Sequence, residues 1–178
     1  MAMAPDDKDW TWVLRRPCPE CGFDASLLSE REISPGIKAN AARWQEILSD
    51  PEATLRARPR PDRWSPLEYA CHVRDVFVLF DQRLQLMLNQ DTPSFANWDQ
   101  DATAVEQRYG EQDPATVAPE LQEAARLLAD RFAGVADDQW SRRGLRSDGG
   151  EFTIASFGRY LLHDPVHHIF DVTGQPAT

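Results

Sequence analysis

The spacing of apolar side chains divides this sequence into four helical stretches. From about Pro35 to Leu48, the residues Ile37, Ala41, Trp44 and Leu48 recur three or four positions apart. That period places them on one face of a helix. A second helix is marked by its start: Ser65 is the N-cap, Pro66 takes the first helical position and Glu68 completes a capping box. It continues through YACHVRDVFVLFDQRLQLMLNQ, apolar nearly all round at its middle, as suits a helix at the centre of a core. A third, roughly 114–136, carries Val117, Leu121, Ala124, Leu128, Phe132 and Val135 on one stripe, with Pro119 disturbing its first turn. The fourth, about 153–173, runs from Thr153 as N-cap to Gly174 as its stop.

The connecting segments are polar. Residues 1–33 form an irregular arm with Pro5, Pro17 and Pro19, expected to pack through Trp10 and Trp12. Residues 91–113 make a long crossover, a kind of segment that usually serves function or covers a bundle end. Residues 137–151 hold Gly144, Gly149 and Gly150, and the stretch RRGLRSDGGEFT reads as a short hairpin. No other strand pattern and no internal repeat is visible. The expected architecture is all-α: an arm over 1–33 and a four-helix bundle over 34–178, with non-simple topology because of the long crossover.

Composition narrows the function classes. The 178 residues suit one domain, and 42% hydrophobic with 27% charged residues excludes a disordered or fibrous chain. A net charge of -10 argues against a nucleic-acid module and against docking on an anionic membrane. No apolar run reaches the ~20 residues of a membrane span, and MAMAPDDKDWTW lacks a signal-peptide layout, so a soluble, cytoplasmic protein is expected. Three cysteines, Cys18, Cys21 and Cys71, make an odd, uneven set that fits a reduced compartment better than a disulfide framework.

The four histidines are placed unevenly: His163, His167 and His168 crowd the fourth helix, and His72 lies in the second. His163 and His167 are four residues apart, so both imidazoles fall on nearly one helix face and can grip one metal ion. His72, amid core positions of another helix, is the natural third ligand, because bundles build metal sites from inward-facing side chains on different helices. Three histidines with an open position would make a catalytic site rather than a structural one. The competing reading is that these are packing histidines of a helical interaction protein. His168, offset by one residue, is expected to point about 100° away, as a surface or supporting residue. Pro165 lies between the two candidate ligands and is expected to kink or widen the helix.

Two segments carry a family resemblance. Arg63-Trp64-Ser65-Pro66-Leu67-Glu68-Tyr69-Ala70-Cys71-His72-Val73 resembles the second-helix signature of the DinB-like, DNA-damage-inducible superfamily, and His163-Asp164-Pro165-Val166-His167-His168-Ile169 resembles its fourth-helix signature. The resemblance covers roughly 34–174. It implies an up-up-down-down four-helix bundle holding a divalent metal, zinc or nickel, through three histidines, which by position are His72, His163 and His167. It also implies kinship with bacillithiol S-transferases and mycothiol-dependent maleylpyruvate isomerase. The activity implied is metal activation of a thiol or water, in thiol transfer or hydrolysis, on a small-molecule thiol or electrophile, with a homodimer as a frequent assembly. The alternative is a non-catalytic, stress-associated bundle tied together by its metal. Two features depart from the pattern: the chain reads Phe170-Asp171-Val172 where relatives continue toward Gln-Ile, and the Cys18–Cys21 arm is not a family feature.

Other candidates remain. Asp75, Asp164 and Asp171 are carboxylates that could orient a histidine, each more simply a solvated charge. Arg74 and Tyr160 are candidate pocket residues, and Trp98 could cap a pocket mouth. Cys18-Pro-Glu-Cys21-Gly22 looks like half of a zinc knuckle, but no second CxxC or nearby CxxH completes it, so it reads as a turn that Gly22 permits. Cys71 reads as a small buried apolar residue.

Overall fold

The computed structural model describes residues 9–176. Four long helices make the body: α1 (Glu30–Ile47), α3 (Pro66–Asn89), α5 (Pro114–Ala133) and α6 (Ile154–Thr173). Two short ones, α2 (Glu52–Arg56) and α4 (Gln100–Glu106), lie in the connections. The packing pairs are α1–α5, α3–α5, α1–α6 and α3–α6. These pairs close a ring in which α1 and α3, and likewise α5 and α6, stand diagonally. This is the neighbour order of an up-up-down-down bundle with long first and last connections. No helix of the described residues is long and apolar enough to cross a membrane.

The helix starts follow local chemistry. At α3 the Ser65 N–H donates to Glu68 Oε2 at 2.8 Å and the Glu68 N–H to Ser65 Oγ at 3.3 Å, the reciprocal capping box. α6 starts at Thr153, whose Oγ1 accepts from the Ser156 N–H at 3.1 Å, and ends at Gly174, which has the left-handed φ of 69° that glycine tolerates. α1 starts five residues before the expected Pro35. Ser29 is its N-cap, and the Glu32 carboxylate accepts from the Ser29 N–H and hydroxyl. Pro35 is tolerated inside because the carbonyl it leaves without a partner, that of Arg31, lies on an exposed stretch where water serves. Pro119 is likewise exposed inside α5, and α6 runs unbroken across Pro165.

The hairpin forms as β2 (Arg143–Arg146) against β3 (Glu151–Thr153), antiparallel with Gly144 facing Phe152. The crossover adds what the pattern did not predict: α4, and a two-residue strand β1 (Ser94–Phe95) parallel to β2. A Cβ at Gly144 would stand 2.8 Å from Phe95 Cε1 and 2.9 Å from Met87 Cγ, so this close approach needs glycine. The sheet and crossover cover one end of the α3–α6 contact and carry Trp98 and Arg146 to it. The core includes Trp44, Phe77, Leu84, Leu128, Phe132 and Phe157, each at most 2% exposed. The arm is also part of this core: Val13, Cys18, Cys21, Phe23 and Ala25 are buried, and a 3-10 turn at Trp10–Leu14 packs on α6.

Candidate metal centres on the last helix

α6 presents two adjacent faces, and the expected ligands divide between them. His163 and His167 share one face, with ring centroids 5.1 Å apart, as their spacing predicts. Opposite them lie Cys18 and Cys21 of the arm, not His72. Ligand atoms of Cys18, Cys21, His163 and His167 all fall within 4.8 Å of one another, and all four residues are buried. Cys18 Sγ lies 3.6 Å from His167 Nδ1.

His72 meets the next face, one residue further on. Its Nε2 lies 3.2 and 3.4 Å from the two carboxylate oxygens of Asp164. His168 Nε2 lies 3.7 Å from Asp164 Oδ1, and the two imidazoles stand edge to face at 4.9 Å. Ligand atoms of His72, Asp164 and His168 again fall within 4.8 Å of one another. Of the expected set His72, His163 and His167, the structure brings His163 and His167 together and places His72 beside Asp164 and His168. The cause is angular, because neighbouring residues on a helix point about 100° apart and α3 faces the 164/168 side. Asp164 and His168, expected only as supporting or surface groups, are the partners of His72. Their signal was a second i,i+4 pair, Asp164–His168, interleaved with the first.

The surroundings hold each imidazole in place. His168 Nδ1 donates to Asp171 Oδ2 at 3.0 Å, which turns Nε2 toward Asp164. Arg63 in turn holds Asp171 by an ion pair. Burial alone would raise the Asp171 carboxyl, but the His168 hydrogen bond and the charges of His168, His167 and Arg63 keep it below the usual range. Asp164 is held low in the same way: burial opposes, and the nearby imidazoles, His72 and His168 foremost, prevail. Trp98 stacks on His72 with planes 8° apart, and Trp64 covers its other neighbourhood at 5.4 Å. His72 is fully buried, yet its Nδ1 has no hydrogen-bond partner.

At the other face, Trp10 lies over both His163 and His167, at 5.4 and 5.5 Å. Burial, aided by His167, pushes His163 down to about 4, so it is neutral at pH 7. Burial pushes the Cys21 thiol up to about 12. Cys71 is apart from both groups: its thiol faces the Tyr109 carbonyl and Gln112, and burial pushes it up to about 12. Asp75 also serves elsewhere, accepting from the Tyr109 hydroxyl and from Arg74.

A cleft opens over His163, Asp164, His167 and His168, with Trp98, Tyr160, Arg83 and Arg146 on its walls. Arg146 Nη1 donates to the Tyr160 hydroxyl at 3.0 Å, and its Nε pairs with Asp148. Arg83 is 6% exposed, donates to the Ala96 carbonyl at 2.7 Å and lies over the Phe95 ring. No ion pair to Arg83 occurs among the described residues. Burial and the neighbouring Arg146 bring it down to about 10, still charged at pH 7.

The donor sets fit divalent metals. Two imidazoles and a carboxylate make an incomplete coordination sphere of the kind catalytic sites use. Two thiols and two imidazoles make a complete one. The same architecture occurs in solved structures. The chain superposes on YfiT from Bacillus subtilis, described as a probable metal-dependent hydrolase with an unusual four-helix bundle topology, with a TM-score of 0.74 at 20% identity over 82% of this chain and 84% of that one. It also superposes on mycothiol-dependent maleylpyruvate isomerase, with a TM-score of 0.68 at 12% identity over 84% of this chain and 62% of that one. At these identities the likeness is one of fold. No curated protein matches the sequence significantly. The family model of the DinB superfamily matches residues 37–170, and the chain belongs to that superfamily.

Proposed function

We propose that this protein is a divalent-metal-dependent enzyme whose ion is held by His72, Asp164 and His168 and whose substrate is a small anionic molecule. One observation carries the reading: His72 of α3 converges with Asp164 and His168 of α6, two residues that line the cleft, and a buried carboxylate, Asp171, already orients the third ligand. A carboxylate behind a ligating histidine fixes its tautomer and its ring direction. When bound, a divalent ion lowers the pKa of a coordinated water or thiol and so supplies a nucleophile near neutral pH.

The protein's own groups do the rest. His72 and His168 would offer ring nitrogens, and Asp164 would offset one unit of the ion's charge. Arg83, a buried cation without a carboxylate partner among the described residues, would receive an anionic group of the substrate, and Arg146 adds a second cation beside it. Tyr160 accepts a hydrogen bond from Arg146 and is kept protonated, since burial raises its phenol. Its hydroxyl is therefore a donor, placed to hold a substrate oxygen. The Trp98 ring covers His72 and limits water access. The arrangement suits hydrolysis or thiol transfer, and the structural neighbours named above are described as a probable metal-dependent hydrolase and a mycothiol-dependent isomerase.

The test joins metal content to turnover. Untagged protein, purified without a nickel column, is assayed for ions and for conversion of carboxylate esters, amides and thiol acceptors. Asp171→Asn should weaken the ion's affinity by about 10–100-fold while the fold is kept. His72→Ala should abolish both binding at this centre and turnover. Unchanged ion affinity in both variants would refute the assignment. Arg83→Met should raise KM for anionic substrates and leave neutral analogues unaffected.

A further inference from the structure

The pair Cys18 and Cys21 is not needed by the centre just described, yet the fold buries it against two histidines. We propose that Cys18, Cys21, His163 and His167 form a second, structural site for zinc, which fastens the N-terminal arm to α6.

Three observations converge. The cysteines are free thiols, 2% and 0% exposed, on a turn where the Gly22 N–H returns to the Cys18 carbonyl at 2.9 Å and Gly22 takes a φ of 78°. The turn points both sulfurs the same way, toward an i,i+4 histidine pair on another element. His163 Nε2 is buried with no hydrogen-bond partner among the described residues, a cost of about 1–3 kcal/mol that a native site normally avoids. Two sulfurs and two nitrogens in reach of one point match the tetrahedral Cys2His2 set of closed zinc sites. Soft thiolates also select against magnesium and calcium.

The charges balance. Binding converts two thiols to thiolates and releases two protons, so the ion with its four ligands is neutral overall, which a buried position tolerates. No position remains open for substrate. That separates this site from the one at His72, Asp164 and His168, although Asp164 and His168 directly follow His163 and His167 along α6. The closed site thus sets the rotation of the helix that carries the open one.

The experiment compares ion stoichiometry, spectra and thiol reactivity in untagged protein. The variant His72→Ala/Asp164→Asn should retain one zinc per chain, and Cys18→Ser/Cys21→Ser should hold one fewer than the unaltered protein. Cobalt bound to the first variant should show thiolate-to-cobalt charge transfer in the near ultraviolet. In metal-replete protein, Cys18 and Cys21 should resist alkylation until a strong chelator is added, read by mass spectrometry. If the serine variant fails to fold, cobalt spectra and alkylation of the unaltered sequence decide the matter. Cobalt binding without a thiolate band, equal alkylation before and after chelation, or a Cys18–Cys21 disulfide in protein made under reducing conditions would each overturn the proposal. A single zinc lost only in the serine variant would support this site and count against the open one, so the two assignments fail separately.

Discussion

Gly158 offers a sharp test of how tightly the site-bearing helix is packed. It lies in the first half of α6, where a Cβ would stand 2.6 Å from Ile33 Cδ1, 3.0 Å from Ile33 Cγ2 and 3.0 Å from Phe132 Cε1. Carbon atoms prefer about 3.5–4.0 Å, so Gly158→Ala is short by roughly half an ångström to one at three contacts. Ile33 Cδ1 can swing away, but Cγ2 is fixed to the β-carbon. Phe132 is buried and stacks on Trp140. Overpacking of this kind costs about 1–3 kcal/mol, against a gain of about 1 kcal/mol from replacing a mid-helix glycine by alanine. The expected outcome is a net loss near 1 kcal/mol. For a chain of this size, that lowers Tm by about 2–4 °C.

Ile33→Val removes the closest atom. Alone it should cost about 0.5–1.5 kcal/mol, but less in the alanine background. Urea titrations of metal-replete protein, read by circular dichroism, measure all four corners of the cycle. A stabilised Gly158→Ala, or a cycle with no coupling, would show that α1 and α6 are looser than described. If instead α6 shifts to make room, zinc retention should fall alongside stability.

Other perturbations have defined outcomes. Burial alone would raise Glu68, but the Arg58 ion pair and the Ser65 N–H and hydroxyl hold it below 4.5. A depressed carboxyl stabilises the fold above its unfolded pKa, and this is lost as pH falls through the folded value. The stability advantage over Glu68→Gln should thus be full near pH ~6 and shrink below pH ~4; a constant difference across that range contradicts the ion pair's role. Ser65→Ala removes the α3 cap and should cost about 1 kcal/mol in chemical denaturation. Asn40 is 5% exposed, with both side-chain polar atoms unpartnered; Asn40→Leu should raise Tm, and a marked fall would point to a ligand for that amide. Strong chelators should lower Tm in the unaltered protein but not in Cys18→Ser/Cys21→Ser combined with His72→Ala.

Local signals made the helices readable and left the site half-read. Ser65-Pro66-x-Glu68, Thr153 and Gly174 act within a few residues, so α3 and α6 could be bounded from the chain alone. Pro35 misled because exposure, a tertiary property, decides whether water can replace the missing hydrogen bond. The strand at Ser94–Phe95 exists only through pairing with β2, some fifty residues away. The histidine pair on α6 was legible as a pair. Its partners were not, since Cys18 and His167 are 149 residues apart in sequence. Nor could spacing tell which neighbouring face of α6 would meet α3, a matter of one residue of helix rotation.

That one-residue stagger couples the two donor sets mechanically. An insertion or deletion between Asp164 and His167 would break both i,i+4 pairs at once, whereas substitutions can remove either alone. On the assignments proposed above, substitutions alter either centre separately, whereas the length of that shared turn should stay fixed.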